Sequence, residues 1–134
     1  MIYGLGTDLV HVPAFAHQLE EPGSQFITGT FTEGEQRTAA QRPGDRAAHL
    51  AARFAAKEAF LKAWSGARFG QPPHLTSVSL REIEVVSDDW GRPSLRLHGA
   101  VEESIDALGI ARVHLSMSHD GPSAVAIVLL ETDA

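Results

Sequence analysis

The chain has 134 residues, 43% of them hydrophobic, with a formal net charge of −6 and no cysteine. That length makes one domain, residues 1–134, able to bury most of its unfolded surface without staples, and the missing thiols exclude disulfides, thiolate nucleophiles and cysteine-based zinc sites. Net acidity and 7% aromatic content argue against nucleic acid as a partner; the lack of an apolar run of about 18 residues, or of a basic and apolar leader, argues against a membrane and for a cytoplasmic protein.

Residues 2–10 alternate as a strand, with Tyr3, Leu5, Thr7 and Leu9 on one face and Gly4, Gly6 and Asp8 on the other. Two glycines beside an acid imply open space above Asp8. A carboxylate on a core strand calls for an ion-pair partner, hydrogen bonds or a metal. Pro13 suits the first turn of a short helix reaching Leu19, and a loop follows through Pro22 and Gly23. Thr32 and Glu35 spell a capping box that opens a second helix, which is explanation enough for Glu35.

Gly44 and Asp45 begin a long helix that ends near Ser65 and Gly66. Its centre is built largely from alanine, a strong helix former with a small side chain, so a ligand or a neighbouring element can come close to its backbone. Leu50, Phe54, Leu61 and Trp64 form an apolar stripe, and Glu58 and Lys62 stand one turn apart on its flank. The plain reading of those two is a solvated ion pair worth a few tenths of a kcal/mol. A carboxylate and an ammonium so placed can also hold a metal and a phosphate together.

Residues 83–87 and 94–98 read as strands joined across a turn at 88–93, and Val101, Ile105 and Leu108 mark a helix after them. Residues 111–120 alternate again, run into the turn Asp120-Gly121-Pro122, and pair with a closing strand over 124–130. His119 sits where strand becomes turn, a position that suits a binding residue and equally a satisfied, partly buried ring. The pattern predicts an α+β domain with a mainly antiparallel sheet and helices packed against one side.

Charge is unevenly spread. Residues 37–68 carry seven bases (Arg37, Arg42, Arg46, Arg53, Lys57, Lys62, Arg68) against two acids (Asp45, Glu58), a local +5 on a body that is otherwise −11. Such a segment attracts polyanions locally, unless its arginines face solvent or pair with acids from elsewhere in the fold.

The segments Gly6-Thr7-Asp8-Leu9-Val10, Arg53 to Trp64, and Ser116-Met117-Ser118-His119-Asp120, in this order and with the turn Trp90-Gly91-Arg92-Pro93 between them, resemble the holo-(acyl-carrier-protein) synthase family. These are small phosphopantetheinyl transferases, and the likeness runs from Gly4 to the closing strand. It implies that fold, and transfer of phosphopantetheine from coenzyme A to a serine of an acyl carrier protein or carrier domain in fatty acid biosynthesis. It further implies magnesium (Mg2+) on Asp8 and Glu58, with Lys62 facing the coenzyme A phosphates and neutralising the leaving group. Arg53, Gly91, Arg92, Pro93, Ser118 and His119 fall at the coenzyme A site by the same likeness. Family members are homotrimers with active sites at subunit interfaces, so one site can draw residues from two copies. The base that takes the serine proton stays open between a metal-bound water held by Glu58 and a carboxylate acting directly.

Two departures bear on the carrier. The arginine usual after the aspartate is absent from Val12-Pro13-Ala14-Phe15, and Thr28-Gly29-Thr30 stands where another base is common. Two other classes fit the same residues: a magnesium-dependent hydrolase of a nucleotide pyrophosphate, and a non-catalytic coenzyme A or carrier-binding module.

Overall fold

Small residues set the closest approach in this chain. In the computed structural model, which describes residues 1–133, strand β1 (Ile2–His11) lies beneath the long helix α4 (Arg46–Gly66). A Cβ on Gly4 would collide with the carbonyl of Ala63, and one on Gly6 with that of Ala59. The space over Gly4 and Gly6 is therefore filled by helix backbone, and the glycines are not what leaves room beside Asp8. Ala51, Ala55, Ala56, Ala59 and Ala63 are fully buried along this contact side of α4, so the alanine face serves packing.

Between them run α1 (Val12–Glu20), α2 (Phe26–Thr30), α3 (Glu33–Ala40) and a 3-10 turn at Pro43–Asp45. After α4 come a second 3-10 turn (Leu80–Glu82), β2 (Ile83–Ser87), β3 (Pro93–Leu97), α5 (Gly99–Ala107), β4 (Ile110–Asp120) and β5 (Ser123–Thr132). All pairings are antiparallel, but they form two sheets: β1-β5-β4, which carries α4, and the separate hairpin β2-β3. No helix among the described residues is long and apolar enough to cross a membrane.

Two devices fasten the smaller helices. Phe15 of α1, Phe26 of α2, Phe31 and Phe54 of α4 form one aromatic cluster with ring centroids 5.5–6.4 Å apart, each such pair adding about 0.5–1.5 kcal/mol to the area it buries. The capping box at Thr32 and Glu35 forms as expected. Glu35 does more than cap, however: its Oε1 accepts from Lys57 Nζ at 2.8 Å and its Oε2 from the Val85 amide at 2.9 Å. Lys57 Nζ also donates to the carbonyls of Leu80 and Ile83 at 2.9 and 2.7 Å. Both side chains are fully sealed, so α3, α4 and β2 meet on one satisfied ion pair.

The sheet face away from α4 is uncovered and apolar. Leu5, Leu9 and Ile127 are 65%, 70% and 48% exposed, and the register sets Leu5 beside Leu129 and Leu9 beside Val125.

Candidate functional site

Asp8 projects from β1 on the α4 side, two residues past Gly6, where the strand leaves the close helix contact. Lys62, near the C-terminal end of α4, reaches across to it: Nζ donates to Asp8 Oδ1 at 3.1 Å and to the Thr7 carbonyl at 3.0 Å. The ammonium is thus spent on β1, and the solvated pair with Glu58 is not what forms. Glu58 stands one turn earlier, half-buried beside Asp8. Burial first, and the Asp8 charge second, push its pKa up, with Lys62 opposing. Asp8 and Glu58 border an open pocket of about 460 Å³, walled also by Phe15 and Phe54 of the aromatic cluster and by Ala14 and Gln18 of α1.

Two repelling carboxylates at an open pocket are a place for a cation. Among the described residues no three His, Cys, Asp or Glu side chains gather to hold a metal. Asp8 and Glu58 alone match magnesium, which takes one or two carboxylates and fills its octahedron with water and substrate phosphates.

The second concave site lies elsewhere on the chain. Arg53 is five residues before Glu58, which places it roughly 140° around α4 and on its other side. There it borders a cavity of about 520 Å³ together with Arg42, His49, Trp90, Ser118 and His119, and with Gly91 and Pro93 of the β2-β3 turn. Arg53 is nearly buried; its Nη2 lies 3.5 Å from Ser87 Oγ. Burial lowers its pKa, Glu35 works against that, and Arg42 adds to it.

The residues singled out from the sequence therefore divide into two groups. Asp8, Glu58 and Lys62 share one surface; Arg53, Gly91, Pro93, Ser118 and His119 share the cavity. Arg92 joins neither, because its Nε donates to Asp88 Oδ2 at 2.6 Å and its guanidinium stacks over Trp90 at 5.4 Å. Asp88 also accepts from the Trp90 and Arg92 amides, and Gly91 takes a φ of 81°. Arg92 thus shapes the turn instead of lining the cavity.

Two cavity residues went unrecognised in the sequence. His49 was legible in principle, since it precedes Arg53 by four residues and so shares its helix face. Arg42 carried no local signal beyond its charge. The basic segment also needs correction: Lys57 is fully buried and Arg53 nearly so, and Arg68 donates to the Pro72 carbonyl at 2.6 Å. Arg37 and Arg46 are left to border a shallow surface groove.

Residues 4–125 match the family model of the 4′-phosphopantetheinyl transferase superfamily. The holo-[acyl-carrier-protein] synthase of Mycobacterium tuberculosis is 50% identical over 130 residues, covering 97% of each chain. The chain belongs to the holo-(acyl-carrier-protein) synthase family. Another synthase relative, from Mycobacterium ulcerans, is 49% identical over 131 residues and 98% of each chain. Among solved synthases, the ACPS–CoA complex of Chronobacterium ammoniagenes aligns with a TM-score of 0.87 at 47% identity over 98% of both chains. The synthase (AcpS) of Neisseria meningitidis aligns at 0.82 and 34% identity, over 98% of this chain and 100% of that one.

Proposed function

We propose that this protein moves phosphopantetheine from coenzyme A to a serine of an apo acyl carrier protein and releases adenosine 3′,5′-bisphosphate. Synthase relatives about half identical over nearly the whole chain support the reaction. The observation that carries the site is the repelling pair Asp8 and Glu58, with Lys62 beside them, at an open pocket.

In this reading Asp8 and Glu58 hold magnesium, which supplies charge withdrawal from the phosphorus under attack. The carrier serine Oγ bonds to the pantetheine-side phosphorus of the coenzyme A pyrophosphate, and the bond from that phosphorus to the bridging oxygen breaks. Lys62 Nζ, exposed and pivoting on Asp8, neutralises charge on the departing phosphate. Glu58, at the edge of the pocket, is placed to take the serine proton, directly or through a water that it holds.

Both halves of the site are then needed at once, yet they lie on different sides of α4. We read the arrangement as a homotrimer in which Asp8, Glu58 and Lys62 of one copy meet the Arg53 and His119 cavity of the next. The uncovered face around Leu5, Leu9 and Ile127 supports such an assembly, since a patch of that kind marks an interface. Fatty acid biosynthesis in the cytoplasm fits a transferase with this acceptor.

The test is intact-mass measurement of an apo carrier protein after incubation with this protein, coenzyme A and magnesium. One added phosphopantetheine per carrier is the expected result. Coenzyme A cleaved with an unmodified carrier would make the protein a hydrolase; coenzyme A bound and intact would make it a binding module.

A further inference from the structure

The exposed large hydrophobic side chains fall into two sets. Met1, Ile2, Leu5, Leu9 and Ile127 lie in or just before β1, or in β5. The other two among the described residues are aromatic: Phe69, 97% exposed, and Trp90, 78% exposed. A single exposed hydrophobe needs no account. These two, however, are held out on fixed turns, one beside each half of the site.

Phe69 follows the last residue of α4 by three positions, on the end of the helix that carries Lys62. Its turn is closed by the Arg68 amide on the Ser65 carbonyl at 2.9 Å and the Gln71 amide on the Arg68 carbonyl at 2.8 Å. Arg68 Nε adds its bond to the Pro72 carbonyl, and Gly70 takes a φ of 79°. The returning chain is pinned by His74, whose ring stacks on Trp64 with centroids 5.2 Å apart and pairs with Tyr3 Oη of β1 at 3.0 Å. A ring fixed outward in this way has little freedom left to lose when a partner covers it.

Trp90 stands at the rim of the Arg53 cavity. Its turn is fixed by the Asp88 bonds and by Gly91, and Arg92 lies over its indole. Within one copy it cannot meet Phe69. The cavity is built on the His49 and Arg53 part of α4, and from Arg53 to the end of the helix is roughly 20 Å, whereas paired rings sit about 4.5–7 Å apart.

We propose that Phe69 of one copy packs on Trp90 of the next and closes the mouth of the Arg53 cavity with a contact that no single copy can make. The inference rests on the reading of the site as shared between copies. On that reading the Lys62 end of α4, and with it the Phe69 turn, faces the neighbouring cavity where Trp90 stands.

The chain has no cysteine, so introduced thiols report alone. Phe69→Cys and Trp90→Cys are co-expressed, the assembly is sized by light scattering, and a short bismaleimide is added. The expected product is a linked dimer whose cross-linked peptide joins positions 69 and 90, with no linked dimer from either variant alone. Phe69→Ala should raise KM for coenzyme A roughly fivefold and leave kcat little changed. A trimer whose thiols fail to link overturns the proposal and leaves the shared site standing, as does Phe69→Cys linking to itself. A monomer overturns both. Linkage with an unchanged coenzyme A KM overturns the closing role, and unlinked copies with a raised carrier KM in Phe69→Ala would assign the ring to the carrier instead.

Discussion

Lys57 and Glu58 are neighbours on α4, and each belongs to a charged cluster of opposite design. Lys57 is sealed, with all three ammonium protons placed on Glu35 and the Leu80 and Ile83 carbonyls. Glu58 stands at an open pocket, paired with nothing in its own turn and repelled by Asp8. The sealed cluster is satisfied and holds three elements together. The open one leaves Glu58 without a partner of its own, and in the proposed metal site a cation would relieve that, so a structural charge and a functional one would sit one residue apart.

The largest expected effect comes from breaking the sealed pair. Lys57→Met leaves the buried Glu35 carboxylate unpaired and should cost about 3–5 kcal/mol, much of a typical total of about 5–15 kcal/mol. Denaturant unfolding measures it. Glu35→Leu with Lys57→Met should cost less than the two singles summed, by about 1 kcal/mol or more. Additive losses would mean the two residues do not work as a pair.

The open cluster should behave the other way. Asp8→Ala and Glu58→Ala should each lower kcat at least roughly a hundredfold, about 2.7 kcal/mol of barrier, while thermal unfolding stays at or above wild type. Near wild-type transfer rates in both variants would misplace the metal site.

Burial of Glu58, with the Asp8 charge second, sets a pH dependence. The folded pKa of Glu58 lies above its ordinary 4.5, so its stabilising contribution is complete below that value and is lost as pH rises through the folded pKa. Glu58→Gln has no such loss. It should therefore melt higher than wild type at pH 7 without magnesium, and magnesium should raise Tm more in wild type than in the variant. A lower Tm for Glu58→Gln under metal-free conditions would show that the carboxylate is satisfied after all.

The smallest effect is expected at the surface. Arg46→Glu should raise the carrier KM a few-fold at low salt and leave the coenzyme A KM alone, with the difference fading as screening over about 8 Å sets in. Arg42, which faces the cavity, is unsuited to that test, and its reversal should raise the coenzyme A KM instead. A carrier KM that is flat in salt and unmoved by Arg46→Glu would place docking on apolar contacts.

Local patterns in the sequence determined much of this protein. Period-two and period-3.6 spacings, the Thr32 cap and the Gly121-Pro122 turn are short-range features, and they set the five strands, α1, α4, α5 and the start of α3 to within a residue or two, while the short helix α2 went unread. Strand alternation and helix spacing set the facing of Asp8, Glu58 and Lys62, but that the three belong together was implied only by the family resemblance. Only the tertiary structure decided which charges are buried. Lys57 and Lys62 look alike in a row of seven bases, yet their fates depend on Glu35, 22 residues before Lys57, and Asp8, 54 residues before Lys62. It also decided that Gly4 and Gly6 receive a helix instead of a ligand, and that Arg53 and Glu58, five residues apart, look out on different sides of α4. Burial and pairing are set by what arrives from distant parts of the chain, and no local spacing encodes that.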